Sequence, residues 1–254
     1  MVENQDLIDV IRDGRVRVDR LGFEPTRRCN FSCEQCYQGD PQQVELDPRV
    51  ARTTLDYFSH AVQIDLYGGE TMCSTSGVRA LDIALGEAGT KFGAVSFVTN
   101  CSFINEKVME TLESMYDKAD HSMGKGGVLV TVSNDYWHRK EEKRLGISRA
   151  EIWDNFLTMK RKHPRFIYKY RKYENKRSHP VVAVGRAASF GLPANQFVPK
   201  GEMLFYDEKD NDGCYTMQRF ITNATGLEES TDFETLMRNK DTMLGKLRED
   251  GLLL

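Results

Sequence analysis

Residues 27–39 read RRCNFSCEQCYQG and place Cys29, Cys33 and Cys36 at the spacing C-x3-C-x2-C. An aromatic residue, Tyr37, directly follows the last of these cysteines. Structural zinc sites and closed iron–sulfur clusters usually take four protein ligands, so three neighbouring thiols without a fourth are unusual. The spacing predicts either a distant fourth ligand or a metal centre that is left open at one position.

The composition of the 254 residues is ordinary for a globular protein, with 40% hydrophobic residues, 29% charged residues and a formal net charge of -3. This balance argues against a basic nucleic-acid surface as the main device, although it leaves local patches open. The longest apolar runs have the length of strands, and the N-terminus lacks the apolar segment of a secretion signal, so we expect no membrane span. Six cysteines, three of them clustered, favour a reducing, cytoplasmic compartment over a disulfide scaffold.

Short apolar segments alternate with amphipathic ones along most of the chain. One helix is predicted over residues 74–89, and others are predicted to begin after Asp47, after Asn105 and at the capping box of residues 148–151. Strands are predicted at 20–26, 63–69, 94–100, 127–135, 165–173 and 179–187. Because crossover helices return each strand in the same direction, this order predicts a parallel sheet, curved or wound into an incomplete barrel.

The predicted helices each carry an apolar stripe at helical spacing. The residues expected to face the core are Val50, Leu55, Phe58 and Val62 in the first helix, Val78, Leu81, Leu85 and Ala88 in the second, Val108, Leu112 and Met115 in the third, and Ile152, Phe156 and Met159 in the fourth. Residues 133–144, SNDYWHRKEEKR, are expected to form a loop after the fourth strand.

Polar and glycine residues follow several strands at the point where each strand ends. They are Gly68-Gly69-Glu70, Thr99-Asn100, Ser133 to Asp135 and Gly185-Arg186, and the cysteine stretch follows the first strand in the same way. Function in such sheets resides at the carboxyl ends of the strands. We therefore expect these residues to share one face of the molecule.

The cysteine motif with its following aromatic residue, together with Gly68-Gly69-Glu70 after the second strand, resembles the radical S-adenosylmethionine (radical SAM) enzymes. The lead FEPTRRCN is also similar to that family. The resemblance implies an α/β fold, an incomplete (β/α)6 TIM-like barrel over residues 21–188. It leaves an N-terminal arm or helix over 1–20 and a short irregular C-terminal extension over 189–254.

The family's chemistry implies roles for the three thiols. Cys29, Cys33 and Cys36 would be the metal ligands and catalytic centre, holding three irons of a [4Fe–4S] cluster. S-adenosylmethionine would chelate the fourth iron, and its reductive cleavage would give a 5′-deoxyadenosyl radical that abstracts a substrate hydrogen. The resemblance also implies oxygen sensitivity and a flavodoxin- or ferredoxin-type reductant.

Further roles are implied for residues that would bind S-adenosylmethionine. Tyr37 would pack near the adenine, Gly68 and Gly69 would allow close backbone approach, and Glu70 would accept from the ammonium group. Ser133 and Asp135 would bond the ribose or line the substrate side, with Thr99 and Asn100 at the matching position one strand earlier. From their positions alone, Arg186 could pair with a carboxylate, including that of S-adenosylmethionine, or form only a salt bridge, and His138 could donate a proton, contact the substrate or be a loop histidine without a task.

Other interpretations stay open beside this one. A zinc site needs a fourth ligand, for which Cys73, Cys101, Cys214 or a histidine are candidates, and the spacing selects none of them. Basic and aromatic residues interleave around Lys169, Arg171 and Lys172, which is compatible with nucleic-acid binding or with a solvated strand face. The leading hypothesis is hydrogen abstraction from a peptide or small-molecule substrate. The alternatives are modification of a nucleotide or nucleic-acid base, and a non-catalytic iron–sulfur or zinc protein.

Overall fold

The computed structural model describes residues 11–12, 15–36, 39–56, 58–123, 126–170, 186, 189–190, 227–228 and 231–232. The strands are β1 Ile11–Arg12, β2 Arg15–Phe23, β3 Phe58–Leu66, β4 Lys91–Thr99, β5 Gly127–Val132, β6 Ile167–Tyr170, β7 Leu227–Glu228 and β8 Thr231–Asp232. The α-helices are α1 Pro48–Leu55, α2 Thr75–Ala88, α3 Glu106–Lys118, α4 Tyr136–Leu145 and α5 Arg149–Lys162.

Strands β1 to β6 form one sheet in sequence order. Strands β2 to β6 pair in parallel, while β1 pairs with β2 in the antiparallel direction. Strands β7 and β8 form a separate antiparallel pair. The fold over β2 to β6 is therefore α/β with a parallel sheet and helices between the strands, as the alternating pattern predicts.

Local sequence sets the beginnings of the helices. Asp47 accepts the N–H of Arg49 and precedes Pro48, so α1 has an N-cap and a proline in its first turn. Ser148 and Glu151 form a complete capping box at the start of α5. Both starts were predicted from the sequence and are confirmed.

The main core lies between the sheet and its covering helices. The predicted stripes of α2, α3 and α5 are confirmed, with Ala88 partly buried and their other members buried. They pack on alternate strand residues, including Ile64, Leu66, Val95, Phe97, Val128, Val130 and Val132. The intervening residues point to the opposite face, where Asp65 accepts from Ser96 Oγ at 2.8 Å and from Gln63 Nε2 at 2.6 Å. That face of the sheet therefore carries a polar group around Asp65.

Two predicted segments need correction. The first helix ends at Leu55, and Phe58 and Val62 belong to β3 rather than to a helical stripe. Val62 is 39% exposed, and the side chain of Val50 lies outside the described residues. Short apolar runs do not distinguish a helix from a strand by spacing alone. The predicted loop at 133–144 is mostly helix α4, which Asp135 caps and which ends at Gly146 with a φ of 72°.

The two ends of the chain are described only in part. Residues 11–12 and 15–20, expected in an N-terminal arm or helix, form β1 and the start of β2. Of the predicted sixth strand at 179–187, only Arg186 lies among the described residues, and Cys214 lies outside them. None of the helices in the described part of the chain combines the length and apolar character needed to cross a bilayer.

Candidate functional site

The cysteine loop follows β2 and folds back on itself. Cys36 N–H donates to the Cys33 carbonyl at 3.1 Å, and Phe31 N–H points to Cys29 Sγ at 3.4 Å. Cys33 is buried, and Cys29 and Cys36 are partly exposed. The three thiols therefore belong to one short, folded segment of the backbone. The predicted adenine contact, Tyr37, lies outside the described residues.

The thiols lie close enough to influence one another. Burial is the largest of the causes that together raise the pKa of Cys29 to about 12, and the neighbouring Glu70, Cys73 and Cys36 contribute to this rise. Burial also raises the pKa of Cys33. Without metal, these buried thiols are protonated at neutral pH, and bound iron would stabilise the thiolate form instead.

The donor set fits an iron–sulfur cluster in kind, since cysteine thiolates are the ligands that such clusters use. Among the described residues, no three His, Cys, Asp or Glu side chains are placed so that together they could hold one metal ion. Cys29, Cys33 and Cys36 therefore stay predicted ligands.

The Gly68-Gly69 pair packs against the backbone that leads into the cysteine loop. Gly69 N–H donates to the Thr26 carbonyl at 2.8 Å, and Glu70 N–H donates to the Arg28 carbonyl at 2.8 Å. A Cβ at Gly68 would lie 2.4 Å from the Thr26 oxygen, and one at Gly69 would lie 2.0 Å from the Arg28 oxygen. Gly68 also has a φ of +106°, which favours glycine. Both glycines thus join the end of β3 to the cysteine loop.

Glu70 is buried and joins the ends of β3 and β4. Its Oε2 accepts the N–H of Asn100 at 2.7 Å, and its Oε1 accepts the N–H of Met72 at 3.1 Å. The Thr99 hydroxyl also bonds this carboxyl. Burial raises the pKa of Glu70, while these hydrogen bonds lower it. The carboxyl group is therefore already engaged by the protein, whatever it does for a ligand.

Asn100 connects β4 to the cysteine loop. Its Nδ2 donates to Asn30 Oδ1 at 2.9 Å, and its Oδ1 accepts from Ser102 Oγ at 2.7 Å. Asn30 Nδ2 in turn donates to Ser102 Oγ at 2.7 Å. Asn30 and Ser102 were not predicted as site residues, although both stand in polar segments beside predicted ones.

Asp135 and His138 meet at the start of α4. Asp135 Oδ1 accepts the N–H groups of Trp137 and His138 at 2.9 and 3.1 Å, and its Oδ2 lies 2.6 Å from His138 Nδ1. Ser133 extends the ladder beyond β5 by donating its N–H to the Thr99 carbonyl at 2.8 Å. Asp135 is therefore a helix cap that also orients the imidazole.

Helix α4 covers the cysteine loop, which the sequence did not predict. Phe31, Cys33 and Trp137 form a small buried cluster. The rings of Phe31 and His138 are 6.1 Å apart, and Glu141 Oε2 accepts the N–H of Ser32 at 2.9 Å. The capping aspartate and the closing Gly146 could have revealed this helix, whereas no local signal marked Glu141.

The remaining candidates lie in different environments. Arg186 donates its N–H to the Cys36 carbonyl at 2.9 Å, and its Nη1 lies 2.5 Å from Asp40 Oδ1. Cys73 is partly exposed, with a pKa raised by burial to about 11. Cys101 is buried. Lys169 is exposed on β6, whereas 171–172 lie outside the described residues.

Comparison with known proteins gives distant, partial matches. No family model matches the chain. An uncharacterized protein of Methanocaldococcus jannaschii is 24% identical over 99 residues, which cover 37% of this chain and 35% of that protein. The chain therefore spans little more than a third of this relative's length.

Three solved structures overlap part of the fold. Native anSMEcpe with bound AdoMet and Cp18Cys peptide matches 60% of this chain and 42% of its own, at 17% identity and a TM-score of 0.43. Streptococcus suis SuiB bound to the precursor peptide SuiA matches 63% and 50%, at 11% identity and 0.31. SuiB bound to S-adenosylmethionine matches 65% and 50%, at 12% identity and 0.29. The chain spans half or less of each matched structure, and the overlaps carry no functional argument.

Proposed function

We propose that the protein is a radical SAM enzyme. One observation favours this proposal over a zinc site. The loop with three thiols is bonded through its backbone to the Gly68-Gly69-Glu70 segment of the next parallel strand. A zinc site would explain the thiols alone. The proposal explains both segments and their contact, because cluster and S-adenosylmethionine have to be held side by side.

In this proposal Cys29, Cys33 and Cys36 hold a [4Fe–4S] cluster and leave its fourth iron free of protein. When bound, the cluster would pass one electron from an external reductant to S-adenosylmethionine, whose cleavage would give methionine and a 5′-deoxyadenosyl radical able to abstract a substrate hydrogen. The chain's own part is to fix the loop. The contacts of Gly69 and of Asn30 hold it against the strand ends, and α4 excludes water from its other side.

The residues for S-adenosylmethionine stay proposals in the same way. Backbone groups at Gly68 and Gly69 would face the methionine part, and Glu70 would set the position of that segment through its bonds to Met72 and Asn100 N–H. Oriented by Asp135, the His138 imidazole is suited to hold or deliver a proton near the loop. Tyr37, Thr99 and Ser133 keep the supporting roles that the resemblance implies, and Arg186 stays a candidate partner for a carboxylate.

The substrate we propose is a peptide or a polar small molecule. In a partial (β/α)6 barrel, the sheet face that carries Asp65 and Ser96 would line the interior, and these polar groups would suit such a substrate. A flavodoxin- or ferredoxin-type protein would supply the electron. A reducing cytoplasm suits this chemistry, because an open cluster is sensitive to oxygen.

Anaerobic reconstitution with iron and sulfide tests the proposal. The reduced protein is examined by electron paramagnetic resonance before and after S-adenosylmethionine is added. We expect about four irons per chain, as one cluster of this type requires, and a spectrum that changes with S-adenosylmethionine. A cluster whose spectrum ignores S-adenosylmethionine would indicate an electron-transfer protein, and bound zinc without a cluster would contradict the proposal.

A further inference from the structure

Helix α4 holds the cysteine loop by a polar contact as well as by packing. Glu141 Oε2 accepts the backbone N–H of Ser32, the residue before Cys33, at 2.9 Å. Beside it, Lys140 and Glu34 form an ion pair. Ser32 and Glu141 are 109 residues apart in sequence, so the contact exists only because β5 delivers α4 to this loop.

The Glu141 carboxylate is itself fixed by its own helix. Arg144 donates to both of its oxygens, with Nε 3.1 Å from each and Nη2 2.8 Å from Oε2. The Glu141 side chain is 10% exposed, whereas that of Arg144 is 56% exposed. Arg144 holds the pKa of Glu141 below its usual range. Glu141 is therefore ionised at neutral pH and lies buried beside the cysteine loop, whereas solvent screens the charge of its more exposed partner Arg144.

We infer that Glu141 is a positioning residue for the cluster: Glu141 fixes the Ser32 amide, and its charge makes the cluster harder to reduce. This inference rests on the proposed function. Reduction adds one electron to the cluster and so one negative charge. A fixed anion at short range in a water-poor site disfavours that change. Glu141 acts through the loop and through its field, and it touches neither S-adenosylmethionine nor substrate in this account.

The first test needs no cluster. Hydrogen exchange at the Ser32 amide is measured in the iron-free protein by mass spectrometry, for the wild type, Glu141→Gln and Glu141→Ala. We expect exchange to be faster by roughly tenfold in Glu141→Ala, because a hydrogen bond to a charged acceptor is lost. Glu141→Gln, which keeps an acceptor oxygen, should lie between the two.

The second test is the midpoint potential of the reconstituted cluster, titrated with dithionite. Glu141→Gln should shift it to a less negative value, because the variant removes the charge and keeps the shape. Glu142→Gln is the control on the same helix, since the Glu142 carboxyl lies 3.1 Å from Arg149 and burial raises its pKa. It should leave Ser32 exchange unchanged and shift the potential less. Arg144→Gln, which loosens the carboxylate, should speed Ser32 exchange while retaining the charge.

The outcomes test the proposed function and the role of Glu141 separately. A wild type that binds no cluster overturns the proposed function and, with it, the effect on potential. A wild type that binds a cluster, with Glu141→Gln equal to it in potential, overturns the electrostatic part of the inference. Unchanged Ser32 exchange in Glu141→Ala overturns the positioning part. Exchange that rises equally at many amides of the loop and helix overturns it too, because that result would mean a general structural contribution of the helix.

Discussion

Glu70 Oε2 accepts the backbone N–H of Asn100 at 2.7 Å, and this bond joins the end of β3 to the end of β4. Asn100 in turn reaches Asn30 in the cysteine loop through its side chain. The carboxyl group of the Gly-Gly-Glu segment is therefore part of the frame that fixes the loop. Any role toward a ligand comes in addition to this structural one.

Replacing Glu70 with glutamine should destabilise the fold itself. Glutamine offers one acceptor oxygen and one NH2, so one of the two bonded backbone N–H groups would face a donor. Leaving a buried donor unpaired costs about 1–3 kcal/mol. Urea unfolding of the iron-free protein measures this. A variant that keeps full stability and loses only S-adenosylmethionine binding would show that the bonds to Met72 and Asn100 contribute little.

Gly69→Ala should displace the cysteine loop. The new Cβ would lie 2.0 Å from the Arg28 carbonyl, which is backbone and cannot move aside cheaply. We expect a loss of more than about 3 kcal/mol or failure to fold, measured by thermal unfolding. Gly86→Ala is the control. Gly86 lies in helix α2, and a Cβ there would meet only Lys118 Nζ, at 3.9 Å. The Gly86→Ala variant should therefore be more stable by about 0.5–1 kcal/mol.

Asp135 is expected to stabilise α4 mainly as its cap. Asp135→Ala loses the bonds to the N–H groups of Trp137 and His138 and should cost about 1–2 kcal/mol, whereas Asp135→Asn keeps a capping oxygen and should cost less. Circular dichroism during heating measures both variants. Equal losses would mean that the charge beside His138, rather than the cap, holds the helix.

Stability should fall at alkaline pH through Cys101. Burial raises the pKa of this thiol from 9.0 to about 12. The unfolded chain therefore releases the proton first as pH rises, so the contribution is complete below about pH 9 and is lost between about pH 9 and 12. The wild type should lose up to about 1.4 kcal/mol per pH unit relative to Cys101→Ala over that window. Parallel pH dependences of unfolding for the two proteins would contradict this.

The sequence predicted the α/β fold because the patterns it relies on are local. Asp47-Pro48 and the capping box at Ser148 act within a few residues, and the apolar stripes of α2 and α3 repeat at helical spacing. Where two structures share one pattern, prediction failed. The run from Leu55 to Val62 suits a helix or a strand, and the structure divides it between α1 and β3.

The sequence placed candidate residues at the ends of neighbouring strands, but it did not predict most of the contacts that they make. Residues at the ends of parallel strands meet because the sheet brings them together, and Glu70 and Asn100 do so. The contact of Glu141 with Ser32 depends on the path of α4, and that helix was predicted as a loop. The residues between Asp135 and Gly146 include strong helix formers, which are a signal for α4. The segment was nevertheless predicted as a loop because it directly follows a strand.

The most direct test of the central claim is the amount of 5′-deoxyadenosine formed after anaerobic reduction with S-adenosylmethionine. Wild type and Cys36→Ala are compared by liquid chromatography, with folding of both checked by circular dichroism. The account predicts 5′-deoxyadenosine from the reconstituted wild type, and neither cluster nor product from the folded variant. A variant that keeps its cluster and forms as much product as the wild type would contradict the assignment of the three thiols.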